Sequence, residues 1–308
     1  MNAADRSGKE ALTSTRAKEK VAGYWLNRGL SPNPIEPKDS DIVIYYIHGG
    51  GYTIVHPADN PVGLLYYAEA LASKDTTCSI FFSGLFLAPG SCLPTQITEA
   101  IAAYQYLVEQ ERIAHSKVVV MGESAGGHLA LSFLTALQVP THRPDLVNAP
   151  PKTQYAILLS PWIDLLNSHP SVAAMRKRDF LSKTSLERSS SYLLKDTNAE
   201  QKHVITNFGK RDNTRGSWKH ILPDRIWITA GGDEMFLEDI KEFASEDGKD
   251  GAEVCFEVTR GKAHPWQTGE AYGHRKRLLS TPISAHPHGI MGGYTAVASN
   301  LVNFLKKD

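Results

Sequence analysis

The sequence has few cysteines, no surplus of charge of either sign and no long apolar run. Its three cysteines are too few for a disulfide framework, so we expect a reducing compartment and a cytoplasmic protein. Lys plus Arg and Asp plus Glu both total 33, which gives no electrostatic reason to expect nucleic acid or an anionic membrane surface as partner. No stretch approaches the ~18 apolar residues that span a bilayer, and residues 1–20 lack the apolar segment of a secretion signal. We therefore expect no integral membrane segment.

The composition and the hydrophobic pattern are those of a folded α/β domain. Of the 308 residues, 42% are hydrophobic and 21% are charged, which is ordinary for a globular protein with one large core. Strand-like apolar runs alternate with helix-like amphipathic segments, as expected for a parallel sheet covered by helices on both faces. Strands are predicted at 41–47, 78–84, 117–121, 154–159, 225–230 and 252–258, and helices at 61–73, 94–113 and 294–307.

A serine surrounded by small residues follows one of the predicted strands directly. The pentapeptide is Gly122-Glu123-Ser124-Ala125-Gly126, and a helix-like segment comes after it. A serine hydroxyl becomes a nucleophile when a base removes its proton and a tight turn exposes it, and such a turn leaves no room for bulky neighbours. The pentapeptide also occurs by chance in other proteins. Ser124 is the candidate nucleophile.

A run of glycines follows the first predicted strand, in the segment His48-Gly49-Gly50-Gly51. Glycine is costly to order, so a flexible turn is one interpretation. The other is that main-chain amides here approach a developing oxyanion, which side chains would obstruct. We favour the second, because a glycine loop of this type and a serine elbow form one oxyanion hole. The predicted donors are the amides of Gly50, Gly51 and Ala125, with His48 and Gly49 in support; His48 would orient the loop.

These motifs resemble those of the hormone-sensitive-lipase-like α/β-hydrolases, an esterase and lipase family marked by HGGG and G-[DE]-S-A-G-G. The resemblance covers the chain from about residue 40 to its end and continues through Leu87-Ala88-Pro89, Ser160 to Leu165, Gly231 to Glu234 and Gly261 to His264. It implies an α/β-hydrolase fold, with a mostly parallel central sheet flanked by helices, and a helical cap. It also implies a serine esterase that needs no metal or organic cofactor. Gly90 departs from the family, which usually has an acidic residue there.

The order of nucleophile, acid and base in this family is kept here. Asp233 comes just past the end of a predicted strand, where α/β folds gather their catalytic groups. Its other interpretation is a helix N-cap, and Asp239 is a rival carboxylate about two turns later. His264 follows the last predicted strand. We predict that Asp233 orients His264 and that His264 takes the proton of Ser124.

The remaining histidines are not expected to bind a metal. His286 and His288 could be mistaken for a metal pair, but no third ligand stands at a plausible spacing and no HExxH pattern occurs. His128 follows the nucleophile on its predicted helix and is expected to be structural. His264 is therefore predicted to be the sole base, and His274 is not expected to take part.

One domain over residues 1–308 is expected, with a cap inserted into it. Residues 162–222 break the alternation of strands and helices and are rich in polar residues. A solvated insertion is one interpretation, whereas the family resemblance implies a lid over the site, completed by a helical N-terminal part at about 10–32. The extra segment at about 267–291 is expected to be a long loop beside the cap, at the mouth of the site.

The predicted function is hydrolysis of a small, apolar carboxylic ester by an esterase or deacetylase. Acyl transfer to an alcohol or amine, as in an acyltransferase, cyclase or amidase, uses the same serine and oxyanion hole and stays open. A non-catalytic small-molecule receptor on this scaffold is disfavoured because His264 is present. The expected partner is the ester substrate, and a homodimer is an open alternative for the assembly.

Overall fold

A computed structural model gives the fold. It describes residues 12–16, 22–26, 35–56, 59, 61–85, 87–139, 150–175, 177–210, 215–281 and 289–306. The strands are β1 (Leu12–Arg16), β2 (Ala22–Leu26), β3 (Ile42–Ile47), β4 (Cys78–Ser83), β5 (Val118–Glu123), β6 (Tyr155–Leu159), β7 (Arg225–Gly231) and β8 (Glu253–Thr259). They form one eight-stranded sheet in the order β1-β2-β4-β3-β5-β6-β7-β8. Strands β3 to β8 run parallel, and the six strands predicted from the sequence are confirmed.

Helices cover both faces of the sheet. They are α1 (Pro61–Ala72), α2 (Thr95–Gln105), α3 (Ala125–Gln138), α4 (Ser171–Met175), α5 (Lys183–Leu193), α6 (Ala199–Ile205), α7 (Trp218–Ile221), α8 (Leu237–Lys249), α9 (Trp266–Ser280) and α10 (Gly292–Leu305). A π-helical turn, Tyr106–Gln110, continues α2. Side chains of α1, α9 and α10 pack on one face, whereas α2, α3, α8 and the cap helices pack on the other. Burial on both faces explains why the strands are continuous apolar runs.

The N-terminal segment is not a cap helix where the structure describes it. Strands β1 and β2 form an antiparallel hairpin, and β2 pairs with β4 at the edge of the sheet. Trp25 is buried against Phe81, with 5.0 Å between the ring centroids. This pairing gives hydrogen-bond partners to the backbone groups at the edge of β4, which would otherwise be exposed. The helical part expected at 10–32 is therefore wrong for residues 12–16 and 22–26.

The segment after His264 is mainly a helix and not the long loop expected at 267–291. Helix α9 runs to Ser280 and packs with α1 and α10, on the face of the sheet opposite the cap. Its buried apolar residues, Ala271 and Leu278, lie two turns apart among polar ones, so the helical period is weak in the sequence. The expected position beside the cap is wrong for α9. His286 and His288 lie outside the described residues.

Residues 162–222, which we call the cap region, contain the helices α4 to α7 and the connections between them. A β-bridge between Asp164 and Asn207 joins the residues before α4 to those after α6. Apolar side chains of these helices belong to the same cluster as those of α3, which carries the cap on the sheet. No helix in the described ranges has both the length and the apolarity that crossing a bilayer requires.

Candidate active site

Two neighbouring strands at the centre of the sheet bring the glycine loop and the candidate nucleophile together. After β3 the chain moves outward to β4 and then returns to β5 on the other side of β3. Such a reversal leaves a crevice at the carboxyl ends of the two strands, where α/β proteins bind ligands. Ile47 at the end of β3 is in register with Gly122 near the end of β5. The loop at His48 therefore lies beside the elbow at Ser124.

The elbow itself is a strained turn between β5 and α3. Ser124 has φ 55° and ψ −119°, a conformation that residues other than glycine rarely adopt. Its carbonyl oxygen accepts hydrogen bonds from the amides of Gly127 and Trp162, both at 3.0 Å. A Cβ atom at Gly126 would lie 2.1 Å from the carbonyl oxygen of Ile47, so only glycine fits there. The turn holds the Ser124 hydroxyl at the crevice.

His264 is the histidine that contacts the serine. Its Nε2 lies 2.8 Å from Ser124 Oγ, and His264 is buried, with 3% of its surface exposed. The ring of Phe236 meets the imidazole edge-on at 5.0 Å between centroids, and Phe180 of the cap stacks over it at 6.2 Å. The structure thus brings together Ser124 and His264, which the sequence predicted as nucleophile and base.

The structure places Glu234, and not the predicted Asp233, beside the other nitrogen of His264. Glu234 Oε2 lies 3.4 Å from His264 Nδ1, and the two side chains are 0% and 2% exposed. Neither Glu234 oxygen has a hydrogen-bond partner among the described residues. Asp233 instead pairs with Arg178 at 3.1 Å and is 30% exposed.

The backbone of the turn after β7 explains this difference. The amide of Asp233 donates to the carbonyl oxygen of Lys262 at 3.0 Å, and the amide of Gly232 to that of Thr259 at 2.8 Å. These bonds fasten the turn to the loop that carries His264, with the Asp233 side chain on the solvent side. The side chain of Glu234, the next residue along the chain, then points inward to His264. Asp239, the rival carboxylate, is buried in α8 and does not face the imidazole of His264 as Glu234 does.

The glycine loop passes the candidate nucleophile at Gly49. A Cβ atom at Gly49 would lie 3.2 Å from Ser124 Cβ, which is tighter than an ordinary side-chain contact. Gly50 has φ 96°, in the region that favours glycine. The amides of Gly50, Gly51 and Ala125 donate to no other described residue. Ala125 is the first residue of α3, where helix amides lack partners inside the helix.

Two buried histidines hold this loop in place. His48 Nδ1 donates to the carbonyl oxygen of Gly49 at 2.8 Å, and burial lowers the pKa of His48. His128 accepts from the Tyr52 hydroxyl at 2.6 Å and donates through Nε2 to the carbonyl oxygen of Ile205 at 2.7 Å. Burial lowers the pKa of His128 to about 4, so this ring stays neutral. His128 therefore links the glycine loop to α6 of the cap, a tie that the sequence did not reveal.

Exposed apolar side chains stand at the rim of the site. Phe180, which stacks on His264, is 71% exposed. Ile54 is 64% exposed and its carbonyl oxygen approaches Gly50. Large exposed apolar groups beside a reactive centre are typical of a surface that binds an apolar molecule. Within the described ranges, no group of three or more His, Cys, Asp or Glu residues could hold a metal ion.

Comparison with known sequences identifies the family. The sequence model of the alpha/beta hydrolase fold family matches residues 44–268. An acetyl-hydrolase of Streptomyces hygroscopicus is 26% identical over 72% of this chain and 67% of its own length. The putative steryl acetyl hydrolase mug81 of Schizosaccharomyces pombe is 26% identical over 68% and 55%. An ethyl acetate hydrolase of Pseudomonas putida is 30% identical over 51% and 46%. The matches thus span two thirds of the first relative and about half of the other two.

Solved structures share the fold. An esterase from the bacterial hormone-sensitive lipase family superposes with a TM-score of 0.71 and 22% identity, over 95% of this chain and 84% of that one. The crystal structure of EstE5 soaked with p-nitrophenyl butyrate gives a TM-score of 0.70 and 21% identity, over 94% of this chain and 84% of that one. The chain belongs to the α/β-hydrolase family, and the family and fold class predicted from its motifs are confirmed.

Proposed function

We propose that the protein is a serine carboxylic ester hydrolase in which Ser124 is the nucleophile, His264 the base and Glu234 the acid. The observation that carries this proposal is the 2.8 Å contact between Ser124 Oγ and His264 Nε2 on a strained elbow. The relatives named acetyl-hydrolase and ethyl acetate hydrolase support the reaction class. Relative to the sequence prediction, the acid moves by one position, from Asp233 to Glu234.

The mechanism follows from the position of each group. His264 Nε2 takes the proton of Ser124 as the oxygen attacks the acyl carbon, and Glu234 holds the Nδ1–H and stabilises the imidazolium. The amides of Gly50, Gly51 and Ala125 bind the oxyanion of the tetrahedral intermediate. His264 then gives its proton to the leaving alcohol, and the acyl-enzyme forms. A water molecule activated by the same His264 releases the acid, and no metal or organic cofactor takes part.

The substrate we propose is an acetyl or other short acyl ester of an apolar alcohol. Relatives are named for acetyl esters, one of them steryl. Helix α5 packs on the glycine loop, where a Cβ atom at Gly51 would lie 3.3 Å from Ser189 Oγ, and we propose that this helix limits the length of the acyl chain. The exposed ring of Phe180 and the exposed branched side chain of Ile54 provide the apolar surface for the alcohol part of the ester.

Replacing the nucleophile tests this proposal. Ser124→Ala should lower kcat/KM for p-nitrophenyl acetate by about 10³-fold or more, because only binding and the oxyanion hole remain. A fluorophosphonate should label the wild type at Ser124. Ser299→Ala, on α10 at the other face of the sheet, is the matched control and should keep full activity and labelling. Labelling at another serine, or undiminished turnover in Ser124→Ala, would overturn the assignment. An ester formed with an added alcohol would indicate acyl transfer.

The cytoplasmic location expected from the sequence is part of this proposal, and a homodimer stays an open alternative for the assembly. The three cysteines, Cys78, Cys92 and Cys255, are free thiols, which agrees with a reducing compartment. Fractionation of the producing cell and light scattering of the purified chain would test the location and the assembly.

A further inference from the structure

Three consecutive cap residues contact the two loops that carry the proposed base and acid. Residues 178–180 lie in the connection between α4 and α5. Arg178 pairs with Asp233 at the surface, at 3.1 Å. Phe180 stacks on the imidazole of His264, with 30° between the rings. The residue between them, Asp179, is buried, with 8% of its surface exposed.

The carboxylate of Asp179 accepts hydrogen bonds from the backbone of both loops. Oδ2 accepts from the amide of Met235 at 2.7 Å, and Oδ1 accepts from the amide of His264 at 3.3 Å. Met235 directly follows Glu234 in the turn after β7, whereas His264 lies in the loop after β8. One buried side chain of the cap therefore bridges the residue next to the acid and the base itself.

This bridge lies where the backbone bonds between the two loops end. Those bonds involve Gly232 and Asp233 on one loop and Thr259 and Lys262 on the other, all before the proposed acid and base in the chain. The separation between His264 Nδ1 and Glu234 Oε2 is 3.4 Å, slightly longer than the range of about 2.7–3.2 Å for an ordinary N–H···O hydrogen bond. A small shift of either loop would separate these two atoms further. The bonds to Asp179 therefore help to set the distance between His264 Nδ1 and Glu234 Oε2.

We infer that Asp179 is a positioning residue through which the cap fixes His264 relative to Glu234. The proposal rests on the proposed function, since it presumes that these two side chains act with Ser124. It makes the cap part of the framework for proton transfer, in addition to its part in binding substrate. Ionised carboxylates form stronger hydrogen bonds with amides than neutral acceptors do, and each of the two oxygens of Asp179 accepts from a different loop. The asparagine side chain fits the space, but its one acceptor oxygen can take the place of Oδ1 or of Oδ2 and not of both, so the bond to one of the two loops is lost.

Asp179→Asn separates a positioning role from a purely structural one. The variant should lower kcat for p-nitrophenyl acetate by about 10- to 100-fold and leave KM within about twofold, because orientation in the transition state is lost while substrate binding is kept. Fluorophosphonate should still label Ser124 completely, but more slowly. Glu187→Gln is the matched control: it removes an exposed cap carboxylate on α5 that pairs with Lys183, and it should leave kcat and KM unchanged.

The other outcomes are equally decisive. An unchanged kcat in folded Asp179→Asn, or a raised KM with the same kcat, would overturn the positioning role. If Asp179→Asn fails to fold, Asp179→Glu provides the test. The longer side chain keeps the charge but displaces the carboxylate, so a folded Asp179→Glu with wild-type kcat would contradict the inference, and a lowered kcat would support it. Failure of the wild type to be labelled at Ser124 would instead overturn the proposed function itself.

Discussion

The adjacent carboxylates Asp233 and Glu234 allow a paired test of the proposed triad. Glu234→Gln keeps the size of the side chain and removes the charge that faces His264 Nδ1. The two side chains concerned are 0% and 2% exposed, so water cannot replace the lost partner. An amide there can also donate to Nδ1, which favours the tautomer that carries its proton on Nε2 and cannot accept one from Ser124.

The expected loss follows from this geometry. Removing the acid of a serine triad, or one hydrogen bond to a buried charge, raises the barrier by about 3–5 kcal/mol, which corresponds to a fall of about 10²- to 10⁴-fold in kcat. Asp233→Asn breaks an ion pair whose side chains are 66% and 30% exposed. Exposed pairs contribute about 0–1 kcal/mol, so this variant should keep kcat within about fivefold of the wild type.

The assay is steady-state hydrolysis of p-nitrophenyl acetate by both variants, with thermal melting as the control for folding. Both variants replace a carboxylate by its amide at neighbouring positions. They therefore have the same net charge, and their kcat values can be compared directly. A greater loss in Asp233→Asn than in Glu234→Gln would return the role of acid to Asp233. If both variants keep their activity, neither residue is the acid.

Two further predictions concern stability and pH. Burial raises the pKa of Asp239 to about 7. Because this is above the unfolded value of about 4, ionisation opposes folding, and the contribution of Asp239 to the unfolding free energy should fall between about pH 4 and pH 7. Asp239→Asn should remove this pH dependence and raise the unfolding free energy above about pH 7 by at most about 4 kcal/mol. Burial lowers the pKa of His128 to about 4, so its contribution is complete above about pH 6.5 and is lost as the pH falls towards 4. His128→Gln should remove this contribution, which amounts to at most about 3 kcal/mol. The two contributions have opposite signs between about pH 4 and pH 6.5 and offset each other in the wild type, so urea unfolding of each variant is compared with that of the wild type at every pH. A difference between variant and wild type that does not change with pH would contradict the prediction for that residue.

The central sheet could be predicted from the sequence because its strands are buried on both faces. Continuous apolar runs of this length are typical of buried parallel strands, and a glycine stands within two residues after each of the runs 41–47 and 117–121. The order of strands then brings the loop at Gly50 beside Ser124, so these two motifs could be paired before the structure was known. His264 could be found because it closely follows the last strand, at the same edge of the sheet.

The remaining features depend on contacts that local sequence does not encode. Asp233 and Glu234 follow the same strand, and only the bonds between their turn and the loop after β8 determine which side chain faces His264. The segment with Trp25 becomes a strand because the edge of β4 is available to pair with it. Asp179 lies in a cap connection with no motif, more than fifty residues from either of its backbone donors, so its bridge follows only from the folded cap.

The order of the strands divides the site into two halves of unequal local stability. The proposed nucleophile and the glycine loop follow β5 and β3, which are paired on both sides in the middle of the sheet. The proposed base follows β8, which forms the edge of the described sheet and is only half-buried, with Val258 41% exposed. Edge elements with few buried contacts open at a lower free energy than central ones. A brief opening at β8 would therefore separate His264 from Ser124 while the elbow stayed folded, so the enzyme would lose activity reversibly under conditions too mild to unfold it.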